Sequence, residues 1–351
     1  MENKAVFNKK IHIEALRSIA IALVLFNHTG TNGFQLYTIT SNRYLYYIYM
    51  FLGTFCKIAV PIFFMISGAL ILGKEESLKD LYKKRVLKII YVLILFSIFQ
   101  YLLKVISGEF PLNIIYFLKK LYNSKMIIPY WYLYAYISFL VMVPFLRKML
   151  KNMNQSDYKY FFLVYFIIAF ILPFIEKIFG ITRNNDLNFI LKTQYIFFPI
   201  AGYYLENIIS EENIKKCIPY GIILSIISHI IVIIFTVSEI KSSGDPLTQK
   251  WLGAYTAAPT ITVYIVVKYI FTNYKISNYI KNIISIIGTC TFGIYLIEYN
   301  LRKLFMLDMI NLLKPYIKTI PASFVSIIFT IIVGTIITKT LKKLPILKRL
   351  I

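Results

Sequence analysis

Arg17-Ser18-Ile19-Ala20-Ile21-Ala22-Leu23-Val24-Leu25-Phe26-Asn27-His28 sets an arginine and a histidine at the two ends of one apolar run. An ionisable side chain costs about 2.5–3.5 kcal/mol at the centre of a membrane helix, so its presence there is a functional signal. Eleven residues at about 100° each make three turns plus roughly 20°, so Arg17 and His28 share one face about 16 Å apart. Glu14 joins that face one turn before Arg17. Such a helix can hold an anion at one membrane surface and carry out proton chemistry nearer the other. On this pattern alone a second reading stays open, in which Arg17 snorkels to the inner surface, Glu14 pairs with it and His28 caps the helix at the outer interface.

The rest of the chain gives that helix its setting. Of 351 residues, 58% are hydrophobic, well above the roughly 45–50% of soluble domains. Apolar stretches of about 20 residues recur along the whole length, as spanning helices require. The expected fold is an all-α integral membrane protein of about ten spans. The predicted spans are 13–30, 49–72, 86–106, 130–150, 158–179, 189–208, 218–237, 251–271, 283–304 and 320–341. They form one domain over residues 1–351, with no appended soluble domain. The run after Lys10 lacks small-residue cleavage chemistry beyond His28, so it reads as a retained first span rather than a signal peptide.

The formal net charge of +23 would suggest nucleic acid in a soluble chain. Here the basic residues sit between apolar stretches, where they anchor helix ends and set orientation, so no nucleic-acid partner is expected. Lys4, Lys9 and Lys10 precede the first span, and Lys74, Lys79, Lys83, Lys84, Arg85 and Lys88 fill the second loop. Arg147, Lys148 and Lys151 lie in the fourth loop, with Lys339, Lys342, Lys343, Lys348 and Arg349 in the tail. This bias predicts both termini in the cytoplasm, although Lys119, Lys120, Lys125, Arg302, Lys303 and Lys318 then fall outside. Cys56, Cys217 and Cys290 are scattered without metal-ligand or disulfide spacing. No P-loop or dinucleotide fingerprint is present, so no metal or permanently bound cofactor is expected.

Five segments in order carry a resemblance that covers nearly the whole chain. They are Ile13–Ala20 leading to His28, Val60-Pro61-Ile62-Phe63-Phe64-Met65-Ile66-Ser67-Gly68, the basic cluster around Arg85, Trp131-Tyr132-Leu133-Tyr134 ending at Pro144-Phe145-Leu146, and Gly293-Ile294-Tyr295-Leu296-Ile297. Together they resemble the acyltransferase type 3 family of membrane O-acyltransferases. The resemblance implies transfer of an acyl group, usually acetyl from cytoplasmic acetyl-CoA, to a hydroxyl of an extracytoplasmic glycan or glycolipid. It also implies a multi-pass protein of a bacterial cell membrane. One position departs: where the family commonly has histidine after Tyr295-Leu296-Ile297, this chain has Glu298. Lys57 resembles the basic residue found at this place in the subgroup with polysaccharide and common-antigen O-acetyltransferases.

The residues fit that chemistry. His28 and Glu14 are the candidate catalytic pair, because imidazole gains and loses a proton near neutral pH. Arg17 and Arg85 are candidate donor-binding residues, since guanidinium suits the phosphates of an acyl-CoA. Direct attack of the acceptor on the thioester and a covalent acyl-histidine are both open. Lys57, Ser67, Trp131, Tyr132, Tyr295 and Glu298 are substrate-facing or structural. Ser67-Gly68 reads as tight helix packing, Trp131 and Tyr132 as interfacial anchors, and His229 as a histidine hydrogen-bonded within the bundle. A transporter or flippase of a small metabolite or glycan intermediate is the rival reading, and an inactive anchor for a glycan-synthesis complex is a third.

Overall fold

A computed structural model describes residues 10–182, 184, 194–243 and 255–351. The predicted starts of the sixth and eighth spans, and Lys4 and Lys9, lie outside the described residues. Among those described, the chain is helical throughout, with no strand. The helices are α1 (Ile11–Asn27), α2 (Arg43–Phe55), α3 (Ala59–Ile71), α4 (Leu78–Leu81), α5 (Leu87–Ile106), α6 (Ile114–Asn123), α7 (Trp131–Lys151) and α8 (Gln155–Phe166). They continue with α9 (Leu172–Phe179), α10 (Gln194–Asn207), α11 (Glu211–Ser243), α12 (Ala257–Asn273), α13 (Asn278–Leu301), α14 (Leu307–Ile317), α15 (Thr319–Leu341) and α16 (Pro345–Leu350).

Seven helical segments among the described residues are long and apolar enough to cross a membrane. Several are compound. Helices α2 and α3 join through a tight 3-10 turn at Cys56–Ile58, and α4 runs into α5 through a π turn at Tyr82–Val86. Another π turn, Arg302–Met306, links α13 to α14 in one 40-residue segment. Three further predicted spans correspond to shorter helices: α1 and α12 have 17 residues each and α10 has 14. Within the polar stretch 106–129 lies α6, which buries Phe117 while Ile114, Ile115, Leu118 and Tyr122 stay exposed. Such a one-sided apolar face suits a helix lying along a membrane surface.

The first helix is the centre of the bundle rather than its rim. It packs against α3, α12, α13 and α15, and ten of its residues are buried, Glu14 among them. It ends at Asn27. The backbone N–H of His28 still donates to the carbonyls of Val24 and Leu25, but Gly30 turns the chain with φ +59°. That left-handed conformation suits glycine and stops the helix. The turn is fixed by Thr29 Oγ1, which donates to Phe26 O at 2.7 Å and accepts from Phe34 N at 3.1 Å.

Near the start of α1, buried Glu206 on α10 gathers Lys10 Nζ at 2.7 Å, His12 Nε2 at 3.2 Å, Tyr264 OH at 3.1 Å and Lys268 Nζ at 3.6 Å. These groups tie α1, α10 and α12 together. Helices α3 and α10 approach each other backbone to backbone. A Cβ on Gly68 would overlap Pro199 O, and one on Gly202 would overlap Met65 O. Both neighbours are backbone and cannot yield, so Gly68 serves close packing, as the small-residue pattern predicts.

Gly68→Ala and Gly202→Ala should each lower the thermal stability of the detergent-solubilised protein, by about 1–3 kcal/mol or more from overpacking. Gly73→Ala, whose Cβ would meet side chains alone, the Tyr203 ring edge at 3.2 Å and Asn207 Oδ1 at 3.8 Å, should cost less. Equal melting temperatures for all three variants would contradict the α3–α10 packing.

Candidate active site

One cavity of about 670 Å³ runs through the bundle, lined at one end by Arg17, Lys84, Arg85, Lys88 and Lys342 and at the other by Asn27, His28, Lys57 and Trp131. Its ends are spanned by the helical rise of α1, about 16 Å from Arg17 to His28. Among the described residues, six lysines and arginines face this cavity and no Asp or Glu does. Of the sequence-predicted residues, Arg17, His28, Lys57, Ser67, Arg85, Trp131, Tyr132 and Tyr295 line it, whereas Glu14 and Glu298 do not.

At the Arg17 end, carboxylates sit behind the cations. Glu14 Oε1 accepts from Arg17 Nη1 at 2.8 Å, while Glu14 is buried and its Oε2 has no hydrogen-bond partner among the described residues. It is wedged against α13, where a Cβ on Gly288 would overlap Oε2. Glu14 is therefore placed to hold Arg17 rather than to reach a substrate. Arg85, on the π turn, donates to both oxygens of Glu76, Nε at 2.7 Å and Nη2 at 2.9 Å. Arg147 Nη2 lies 3.3 Å from the same carboxylate and donates to Ile71 O at 2.7 Å. Lys342 Nζ donates to Thr289 O at 2.8 Å.

Aromatic rings form the waist. Tyr132 and Tyr136, one helical turn apart on α7, stack with centroids 5.6 Å apart and planes 15° from parallel. Tyr295 meets Tyr132 edge-on at 5.6 Å and donates its hydroxyl to Pro129 O at 2.6 Å. Tyr130, fully buried, returns a bond to Leu296 O at 3.2 Å. The reciprocal pair locks the start of α7 to α13. Ser67 Oγ donates to Phe63 O at 2.8 Å, the ordinary back-bond of a helical serine, with no activating base on it among the described residues. Trp131 and Tyr132 belong to this cavity wall, beyond the anchoring role read from sequence.

At the other end, His28 Nδ1 lies 3.1 Å from Glu298 Oε1. The contact is close but poorly aligned, and neither Glu298 oxygen accepts a hydrogen bond among the described residues. Glu298 is fully buried and the His28 side chain is 20% exposed, so the imidazole stands between the carboxylate and the cavity. Arg302, on the π turn after α13, approaches His28 O at 3.4 Å. Lys57 Nζ donates to Asn27 Oδ1 at 2.8 Å and sits 4.1 Å above the Phe34 ring. His229 lies away from this site, its Nδ1 2.9 Å from Ser225 O and its ring against Phe51 and Phe55, consistent with a bundle role.

Sequence reading misses Tyr136, Asn27 and the cavity-facing positions of Lys84, Lys88 and Lys342. The spacing of four from Tyr132 is a signal that could have found Tyr136. The lysines carry no such signal, because loop cations that set orientation and cations that line a cavity look alike in sequence.

A protein-family model described as an acyltransferase domain matches residues 11–339, and the chain belongs to that family. No curated protein and no solved structure gives a significant match.

Arg85 holds the Glu76 carboxyl below its usual range, with Arg147 adding to the effect. A lowered carboxylate stabilises fully above its ordinary pKa of about 4.3, and that stabilisation is lost as pH falls through the lowered value. Glu76→Gln should therefore reduce thermal stability at neutral pH and shrink the loss that wild type shows on acidification. Melting curves from pH 7 down to about 3 check this. Parallel curves for the two proteins would exclude the clamp.

Proposed function

We propose that this acyltransferase moves an acyl group, acetyl in the simplest case, from acyl-CoA at the Arg17 end to a hydroxyl presented at the His28 end. The orientation that fits has both termini and the basic mouth in the cytoplasm, as the positive-inside pattern predicts. The acceptor is then an extracytoplasmic glycan or glycolipid, and the protein is a multi-pass enzyme of a bacterial cell membrane. The observation that carries this reading is the single cavity joining Arg17 and its basic neighbours to the His28–Glu298 pair.

Five basic side chains around the mouth suit the phosphates of a CoA donor, and Arg17 and Arg85 have forked guanidinium groups fixed from behind. The aromatic waist suits the slender, mostly uncharged pantetheine arm, whose thioester then reaches toward His28. Glu298 beside Nδ1 favours the tautomer that leaves Nε2 free to take a proton. In the proposed step, the acceptor hydroxyl gives its proton to Nε2 while its oxygen forms a C–O bond with the thioester carbonyl. The C–S bond then breaks, and the imidazolium returns the proton to the departing thiolate. Glu298 stabilises the imidazolium meanwhile, as a positioning residue. The carboxylate thus occupies the family's histidine position without disabling the site.

Two measurements on purified, membrane-reconstituted protein test this. Arg17→Lys keeps the charge but loses the fork, and it should raise the apparent KM for acetyl-CoA. Unchanged donor affinity in Arg17→Ala would remove Arg17 from donor binding.

His28→Ala and His28→Gln should lower acyl transfer by about 10²–10⁴ while leaving membrane insertion intact. Glu298→Gln should lower kcat while leaving the KM for acetyl-CoA unchanged. Transfer by His28→Ala within a few-fold of wild type would place the base elsewhere. A flippase would instead keep transport in that variant and show no acetyl-CoA turnover.

A further inference from the structure

We propose that the His28 end of the cavity contains an anion subsite built on Lys57, so that the hydroxyl acylated belongs to a molecule carrying a carboxylate or phosphate group. This rests on the acyltransferase reading above and narrows its acceptor.

Lys57 is a cation inside the bundle without a counter-ion among the described residues. No carboxylate there lies within ion-pair distance of it, although Arg17, Arg85, Lys10 and Lys268 all have one, and the other cavity lysines without one, Lys88 and Lys342, stand at the opposite mouth. Its partners are neutral: the Asn27 carboxamide oxygen at 2.8 Å and the face of Phe34 at 4.1 Å. An ammonium group has three protons to donate. Asn27 takes one, and Lys57 lines the cavity with the others available to it. A desolvated cation left in this state is costly unless something pairs with it.

The charges around it point the same way. Beside His28 stand Lys57 and Arg302, whose Nε has no partner among the described residues, against the single carboxylate of Glu298. The donor cannot supply the missing anion, because its phosphates are assigned to the opposite mouth. Asn27, which fixes Lys57, lies ten residues or about 15 Å along α1 from Arg17. What remains is the acceptor itself. With Lys57 anchored to the residue preceding His28, an anionic group held there would bring a neighbouring hydroxyl to the imidazole. The competing role for Lys57 is stabilisation of the thioester oxyanion, which would act on every acceptor alike.

The experiment uses the full-length protein in proteoliposomes with acetyl-CoA and four small acceptors: methyl glucuronide, methyl glucoside, glycerol 3-phosphate and glycerol. Each anion has a neutral counterpart, and the two pairs separate carboxylate from phosphate as the favoured group. The anionic member of at least one pair should have kcat/KM about tenfold or more above its counterpart. Lys57→Met should abolish that preference by raising KM for the anion while sparing the neutral acceptor, and Lys57→Arg should keep it. Equal use of both members, or a Lys57→Met loss of kcat on both alike, overturns the proposal. Binding is read separately as Trp131 fluorescence without donor, in protein carrying Trp251→Phe. Quenching by glucuronide or glycerol 3-phosphate that is lost in Lys57→Met supports the subsite even if no probe is acylated, an outcome that would count against the transfer reading alone. No anion-dependent change in Trp131 emission, with no acylation preference, overturns it.

Discussion

Ionised side chains inside an apolar bundle must be paired or given a polar cavity, and α1 carries such groups at both ends of its length. Everything around it answers that requirement. The helix cannot sit at the lipid-facing rim, so α3, α12, α13 and α15 enclose it. They cannot close on it completely either, because Arg17 and His28 need space in front of them. The cavity is thus the consequence of putting an arginine and a histidine on one face of a buried helix.

Holding a cavity open in a membrane protein demands rigid walls elsewhere. Helices α3 and α10 meet backbone to backbone at Gly68 and Gly202, closer than any side chain would permit. On the opposite wall, the reciprocal tyrosine bonds between Tyr130, Leu296, Tyr295 and Pro129 pin α7 to α13. The π turn at Tyr82–Val86 presents Arg85 to the cavity, and the one at Arg302–Met306 sets Arg302 behind its wall, against the backbone of His28. An extra residue in a helical turn rotates the helix beyond it, and such turns recur at functional sites.

The shared face of Arg17 and His28 is legible in sequence because helical periodicity fixes it locally. Apolar length likewise reveals the membrane class, and the ordered motifs reveal the family. The pairing of His28 with Glu298 is not legible: the two lie at opposite ends of the chain, and the family pattern suggests a histidine where the carboxylate stands. Glu14 shows the opposite failure. Its spacing from Arg17 identifies the pair, but spacing cannot tell a carboxylate facing the cavity from one wedged against Gly288. The Glu206 cluster stays hidden because its members come from three helices and share no motif.

The same device recurs around the cavity. Glu14 stands behind Arg17, Glu76 behind Arg85, and Glu298 behind His28, each buried or half-buried and none on the wall. A carboxylate in that position offsets the cost of bringing a basic group out of water and fixes its direction, while leaving the front of the group for a ligand. Were the carboxylates on the wall instead, they would repel every phosphate that entered. Lys57 departs from the rule, with a neutral amide in place of the carboxylate, and Lys342 at the opposite mouth does so too, resting on the Thr289 carbonyl. Arg17 and Arg85 therefore face the cavity as partly compensated cations. Lys57 faces it with no carboxylate behind it, so beside the histidine the balancing charge is left to whatever enters the cavity.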